Sequence, residues 1–295
     1  AHMKYVYPAV FTEEDSGYNL VNLRQDYEAF RLESLRAKFD GRFNWIAYSN
    51  VQNSGMSINT LEHFMWVASK EVFSSIKADM QLTSDGQIIL CHDDGFTLNS
   101  NGKITTFDAN NCTLIHDMTY ADCIALQHAG TDQHVCGIDA VLKVCKKYGK
   151  HLYITLRDNY YQDTFDALLP KLRLYDMESE TIINCYPQND EKCDYIRSKS
   201  ANISICYTCS ANVTVFEKAV KKCITLGNCI LAPFAFSGAV ANIVNTLSPL
   251  QESINKAKSN GLRVYVAIMY QDNATDALMD CGISGGQTYI MPTDM

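Results

Sequence analysis

SIKADMQLTSDGQIILCHD, residues 75–93, reads as strand, tight turn, strand, and ends in a His-Asp pair. Ile76, Ala78, Met80 and Leu82 alternate with Lys77, Asp79, Gln81 and Thr83, the period of a strand with two different faces. One of those faces is charged, which is unusual for a buried strand. Ser84-Asp85-Gly86 is a turn signal, and the apolar run Gln87 to Cys91 then delivers His92 and Asp93.

Working outward, alternation of strand and helix patterns continues along the chain. Before the stretch, Leu20 to Phe39 has helical periodicity, with Leu20, Leu23, Tyr27 and Phe30 on one face. Trp45 to Tyr48 is a short strand. Asn59 to Val72 is a helix, expected to bury Leu61, Phe64, Met65 and Ala68. After the stretch the chain is polar and loop-rich to about Cys136. Ile138 to Tyr148 is a helix stopped by Gly149, with Ile138, Val141, Leu142 and Cys145 inward. Strands follow at 152–156, 181–185, 203–207, 229–233, 263–269 and 287–291, and a helix is expected around 164–172. Ser248-Pro249-Leu250-Gln251 reads as a helix start with a capping Ser, and Gly261 as that helix's stop.

Leaving out the Gln87 to Cys91 segment, eight strands alternate with helices. The expected fold is α/β, a (β/α)8 barrel over residues 44–295 with a small insertion at about 83–136, after an N-terminal extension over residues 1–43 carrying one helix. A chain of 295 residues with 47% hydrophobic and 20% charged content can bury such a core. In this fold the active site lies at the C-terminal ends of the strands.

The net charge of −8 argues against a nucleic-acid binder. No apolar run is long enough for a membrane span. Ala1-His2-Met3 reads as a cloning remnant and no signal peptide follows, which leaves the cellular location open. The 12 cysteines are scattered rather than clustered, which favours a reducing environment. Cys206-Tyr-Thr-Cys209 is the one CxxC, and no second pair stands at zinc spacing.

Asn59-Thr60 opening an apolar helix, Asp79 on the second strand, the Thr83-Ser84-Asp85-Gly86 turn and His92-Asp93 together resemble the glycerophosphodiester phosphodiesterases. The resemblance spans about residues 44–292 and is most specific over 56–103. It implies a barrel of the phospholipase-C-like phosphodiesterase type, with an insertion after the second strand. The family reaction is metal-dependent hydrolysis of glycerophosphodiesters, a step in lipid metabolism, using a divalent cation (calcium or magnesium) and two histidines.

This chain departs from that pattern where the chemistry sits. The family's metal-binding Glu residues align with Lys77 and Thr155, leaving Asp79 as the remaining ligand. The first-strand His-Arg aligns with Tyr48-Ser49, leaving His92. The Glu before Asn59 is Ile58, and the third-strand Lys is Arg157. Calcium takes about six to eight oxygens, several from carboxylates, so one Asp beside a Lys is a poor site. Without the metal, the nucleophile loses its activator and the phosphoryl charge its clamp. With one His, acid and base roles cannot be divided between two groups.

The expectation is therefore a catalytically impaired member, a pseudoenzyme without a cofactor, serving as a binding or structural module. Its ligand would be a phosphate-bearing small molecule or a protein partner. Lys77, Arg157, Tyr48 and Asn59 are the candidate anion-binding residues. Two readings of Lys77 stand: its ammonium takes the metal's place before a phosphate or sulfate, or it pairs with Asp79 and plugs the site. Two readings of His92 stand as well, a proton donor to a leaving oxygen or a hydrogen-bonded remnant. The alternative function is an active phosphodiester hydrolase with metal-poor chemistry run by His92.

Overall fold

The computed structural model describes residues 43–47, 55–156, 160–186, 189–234, 240–269 and 275–288. The expected N-terminal helix, Tyr48, Ser49, Arg157 and Asp158 lie outside the described residues.

Eight parallel strands close on themselves. They are β1 (Asn44–Ala47), β2 (Phe73–Leu82), β6 (His151–Leu156), β7 (Thr181–Cys185), β8 (Ser204–Cys209), β9 (Cys229–Pro233), β10 (Arg263–Met269) and β11 (Gly285–Thr288). Each pairs with its neighbour in chain order, and β1 closes the ring by pairing in parallel with both β2 and β11. Helices α1 (Leu61–Ala68), α3 (Ile138–Tyr148), α4 (Tyr161–Leu174), α5 (Asp190–Lys199), α6 (Val213–Leu226), α7 (Val240–Leu247), α8 (Gln251–Ser259) and α9 (Thr275–Asp280) fill the crossovers. The eight-strand barrel is the fold expected from the sequence.

Strand alternation sorts the core into two parts. Outward residues such as Ile76, Ala78, Met80, Leu152 and Ile154 join the helices in one large apolar layer. Inward residues Ile46, Tyr153, Ile182, Cys206, Ile230 and Tyr265 fill the lumen as a separate cluster. The same alternation disposes of the CxxC: Cys206 faces the lumen and Cys209 the helix layer. Cysteines three apart on a strand point to opposite faces, so they do not converge on one ion. All 12 cysteines are free thiols.

The insertion is a compact unit with its own core. β2 runs into the antiparallel β3 (Ile88–Leu90), with Met80 opposite Leu90. Beyond it, β4 (Gly95–Phe96) pairs with β5 (Thr113–Leu114), and α2 (Tyr120–Ala125) follows. Ile89, Phe96, Ile104, Ile115, Cys123 and Val135 pack together beneath these elements. The β2–β3 turn is built by its side chains. Thr83 Oγ1 donates to Asp85 Oδ1 (2.6 Å) and accepts from Gln87 N (3.1 Å), while Gly86 takes φ +73°. Asp85 also accepts from Tyr120 N at 3.0 Å, tying the turn to α2. These bonds to Thr83 and Tyr120 hold the Asp85 carboxyl below its ordinary pKa.

Two expectations need correction. α1 begins at Leu61 with Thr60 as its cap, and it buries His63, Phe64, Val67 and Ala68. Leu61 and Met65, expected inward, are 40% and 43% exposed. The helix is rotated relative to its apolar stripe because the residues before it are anchored to β2, as described below. Ser248 does not cap a helix: α7 arrives from Val240, and Ser248–Leu250 is a 3-10 turn leading into α8. Pro249 lacks a backbone donor, which suits the break between two consecutive helices.

Candidate functional site

β2 brings Lys77 and Asp79 into the lumen because residues two apart on a strand share a face. Lys77 Nζ donates to Asp79 Oδ1 at 2.7 Å and to Oδ2 at 2.8 Å, with the two side chains 2% and 0% exposed. Asn59 completes the group. Its Nδ2 donates to Asp79 Oδ2 at 3.3 Å, and its Oδ1 accepts from Asp79 N at 3.1 Å. Asn59 holds φ +58°, the left-handed region that Asn tolerates better than most residues. The candidate residues Lys77, Asp79 and Asn59 are thus one cluster at the C-terminal end of the barrel.

The described residues around this cluster are polar. Thr155 stands opposite Asp79 in the β2–β6 register, and Asn184 stands opposite Thr155. Thr208 Oγ1 donates to Asn184 Oδ1 at 2.7 Å. Thr155 Oγ1 is buried without a hydrogen-bond partner. Lys192, from the first turn of α5, donates from Nζ to Leu156 O at 3.1 Å and stacks over the Tyr161 ring. This buried cation at the end of β6 had no sequence signal, since nothing in the α5 pattern marks one lysine from another. Tyr186 is half exposed and meets Phe234 edge-on, with ring centroids 5.2 Å apart.

His92 sits on the turn after β3, beside this mouth. Its Nδ1 is 2.9 Å from Asp93 Oδ1, and both side chains are partly exposed. Cys91 N donates to Asp79 O at 3.0 Å, and Gln81 Nε2 donates to Asp93 O at 3.1 Å. The turn is therefore strapped to β2 by backbone and side chain. Asp93 engages one ring nitrogen, which leaves His92 Nε2 for an outside group. Burial pushes the adjacent Cys91 thiol up to about 12, so it is not a nucleophile at neutral pH.

The described residues at the mouth do not fit a divalent cation. Both carboxylate oxygens of Asp79 are held by an ammonium, and Thr155 offers a hydroxyl where a second carboxylate would be needed. Among the described residues no group of three His, Cys, Asp or Glu side chains is arranged to hold a metal.

No protein-family model matches the chain, and no curated protein matches it. Solved structures do. A candidate glycerophosphoryl diester phosphodiesterase from Silicibacter pomeroyi DSS-3 is similar at 18% identity and TM-score 0.67, over 89% of this chain and 94% of that one. An Oleispira antarctica phosphodiesterase, solved with the product sn-glycerol-3-phosphate, is similar at 15% identity and TM-score 0.64, over 85% and 95% of the two chains. A glycerophosphodiester phosphodiesterase from Thermotoga maritima is similar at 15% identity and TM-score 0.61, over 84% and 95%. The chain shares the barrel fold of these proteins over 84–89% of its length.

Proposed function

We propose that this protein is a divergent, catalytically impaired relative of the glycerophosphodiester phosphodiesterases, acting as a binding module for an anionic ligand. The observation that carries this reading is Lys77 Nζ lying 2.7 and 2.8 Å from the two oxygens of Asp79 in a buried pair. An ammonium there neutralises the carboxylate that would otherwise hold the metal, and no metal means no activated oxygen nucleophile. The likeness to the phosphodiesterase structures supports a phosphodiester or related anion as the ligand class. Arg157 and Tyr48, which directly follow β6 and β1 in the sequence, are proposed to contact it with Asn59 and Lys77. Such a role requires the Lys77–Asp79 pair to share its ammonium with the ligand.

A second reading rests on the His92–Asp93 contact of 2.9 Å, which orients an imidazole that can donate a proton to a leaving oxygen. The test is incubation with glycerophosphocholine, with and without calcium, followed by assay of released choline. The expected result is no turnover, with binding detected by calorimetry and weakened in Arg157→Ala. Turnover that disappears in His92→Ala would overturn the first reading and establish the second.

A further inference from the structure

A cavity of about 500 Å3 opens between the insertion and the segment leading into α1. Its size is that of a small-molecule site, for which about 300–1,000 Å3 is usual. Ile58, Leu90, Phe96, Ile104, Phe107 and Val135 provide apolar walls. Among the described residues no Lys or Arg lines it. Several polar side chains around it are already engaged. Thr97 Oγ1 accepts from Asp108 N at 2.8 Å, and Thr105 Oγ1 donates to Thr97 O at 3.3 Å. Desolvation and the neighbouring His134 hold His128 below its ordinary pKa, so that wall is neutral. Among the described residues an anion has no Lys or Arg partner in this space, and the wall formed by Ile58, Leu90, Phe96, Ile104, Phe107 and Val135 suits an apolar group.

The cavity borders the barrel mouth at two points. Ile58 directly precedes Asn59, which holds Asp79, and Cys91 N donates to Asp79 O. His92 and Asp93 stand where the cavity meets the mouth, and both line it. The arrangement is that of an amphiphile's site, with polar chemistry at one end and apolar volume beside it.

We infer that this cavity holds the alkyl chain of a single-chain amphiphile, with the polar head toward His92 at the edge of the barrel mouth. The inference deepens the reading of the barrel mouth as an anion site and rests on it for the head group, but not for the chain. The chain can come from an aliphatic alcohol alone or from an acylated glycerophosphodiester, and the two are separable.

Calorimetric titration of the full chain with 1-hexanol, 1-octanol, glycerophosphocholine and octanoyl lysophosphatidylcholine tests it. 1-Octanol should bind roughly tenfold tighter than 1-hexanol, since each buried methylene adds about a threefold to fourfold gain. Octanoyl lysophosphatidylcholine should bind at least tenfold tighter than glycerophosphocholine. Thr106 is an exposed lining residue, so Thr106→Trp fills the space without disturbing the core. Phe107→Ser removes an apolar wall without adding bulk. Each variant should lose the chain-dependent gain and leave glycerophosphocholine binding unchanged. Octanol bound no tighter than hexanol, or a chain gain that survives both variants, overturns the inference even where glycerophosphocholine binds. Octanol binding lost in Thr106→Trp, with no glycerophosphocholine binding, sustains the cavity site and overturns the anion reading instead.

Discussion

Asn59 and Asp79 are joined twice, side chain to side chain at 3.3 Å and backbone N to side chain at 3.1 Å. The contact pins the entry of α1 to β2. It also fixes the rotation of α1, which is why His63 rather than Leu61 or Met65 turns inward.

Replacing Asn59 separates its two contributions. Asn59→Ala loses one bond to the buried Asp79 carboxylate and one from the Asp79 backbone N–H, and strains a left-handed residue, for a cost of about 3 kcal/mol. Asn59→Gly loses the bonds but accepts φ +58°, and should be about 1 kcal/mol more stable than the Ala variant. Urea unfolding of the two variants gives the difference.

The Lys77–Asp79 pair should behave as a buried ion pair. Lys77→Met leaves a carboxylate in the lumen with Asn59 as its described partner and should cost about 3–5 kcal/mol. Adding Asp79→Asn removes the orphaned charge and should recover at least half of that loss. A double-mutant cycle in which the two losses simply add would show that the pair is not coupled.

His63 sets a pH dependence. Burial depresses its pKa from 6.5 to about 4, and both ring nitrogens are buried without partners. The unfolded chain therefore binds the proton more readily than the folded one. The stability associated with neutral His63 is full above about pH 6.5 and is lost as pH falls toward 4. The loss by pH 4 is on the order of 3 kcal/mol. Melting curves of the native chain and His63→Leu between pH 7 and pH 4 should diverge by about this amount, the variant being the less pH-sensitive.

Barrel closure depends on Gly285. A Cβ there would stand 2.8 Å from Asn44 O and 2.8 Å from the Tyr265 ring, at the β1–β11–β10 seam. Gly285→Ala should destabilise by about 1–3 kcal/mol through overpacking. Tyr265→Phe in the same background should not rescue it, because the ring carbons and the backbone oxygen remain.

Under the proposed function, two substitutions should create a metal site. Residues 77 and 79 share a face, and residue 155 pairs with 79 on the adjacent strand. Lys77→Glu with Thr155→Glu should create a calcium site visible as a rise in melting temperature on adding calcium. The native chain should show no such rise. A double variant indifferent to calcium would mean that these three positions do not converge on one ion.

How much of this was readable in advance differs from element to element. The β2 alternation and the Thr83–Gly86 turn were legible because each follows from local chemistry, a two-residue period and side chains that bond their own backbone. The Lys77–Asp79 proximity was legible for the same reason, as residues two apart on one strand. The facing of α1 was not. Its apolar stripe allows two rotations, and a contact between residues 20 apart in sequence selects one of them.

The sequence by itself determined the order of strands and helices, the eight-strand count and the pairing of Lys77 with Asp79 on one strand face, since all three are properties of residue type and spacing. Only the tertiary structure decided that Lys77 grips both oxygens of Asp79, that Asn59 locks the pair, and that a cavity with one apolar wall lies beside His92. Those relationships join β2, the approach to α1 and the insertion, and their geometry is set by packing between segments that no local period can relate.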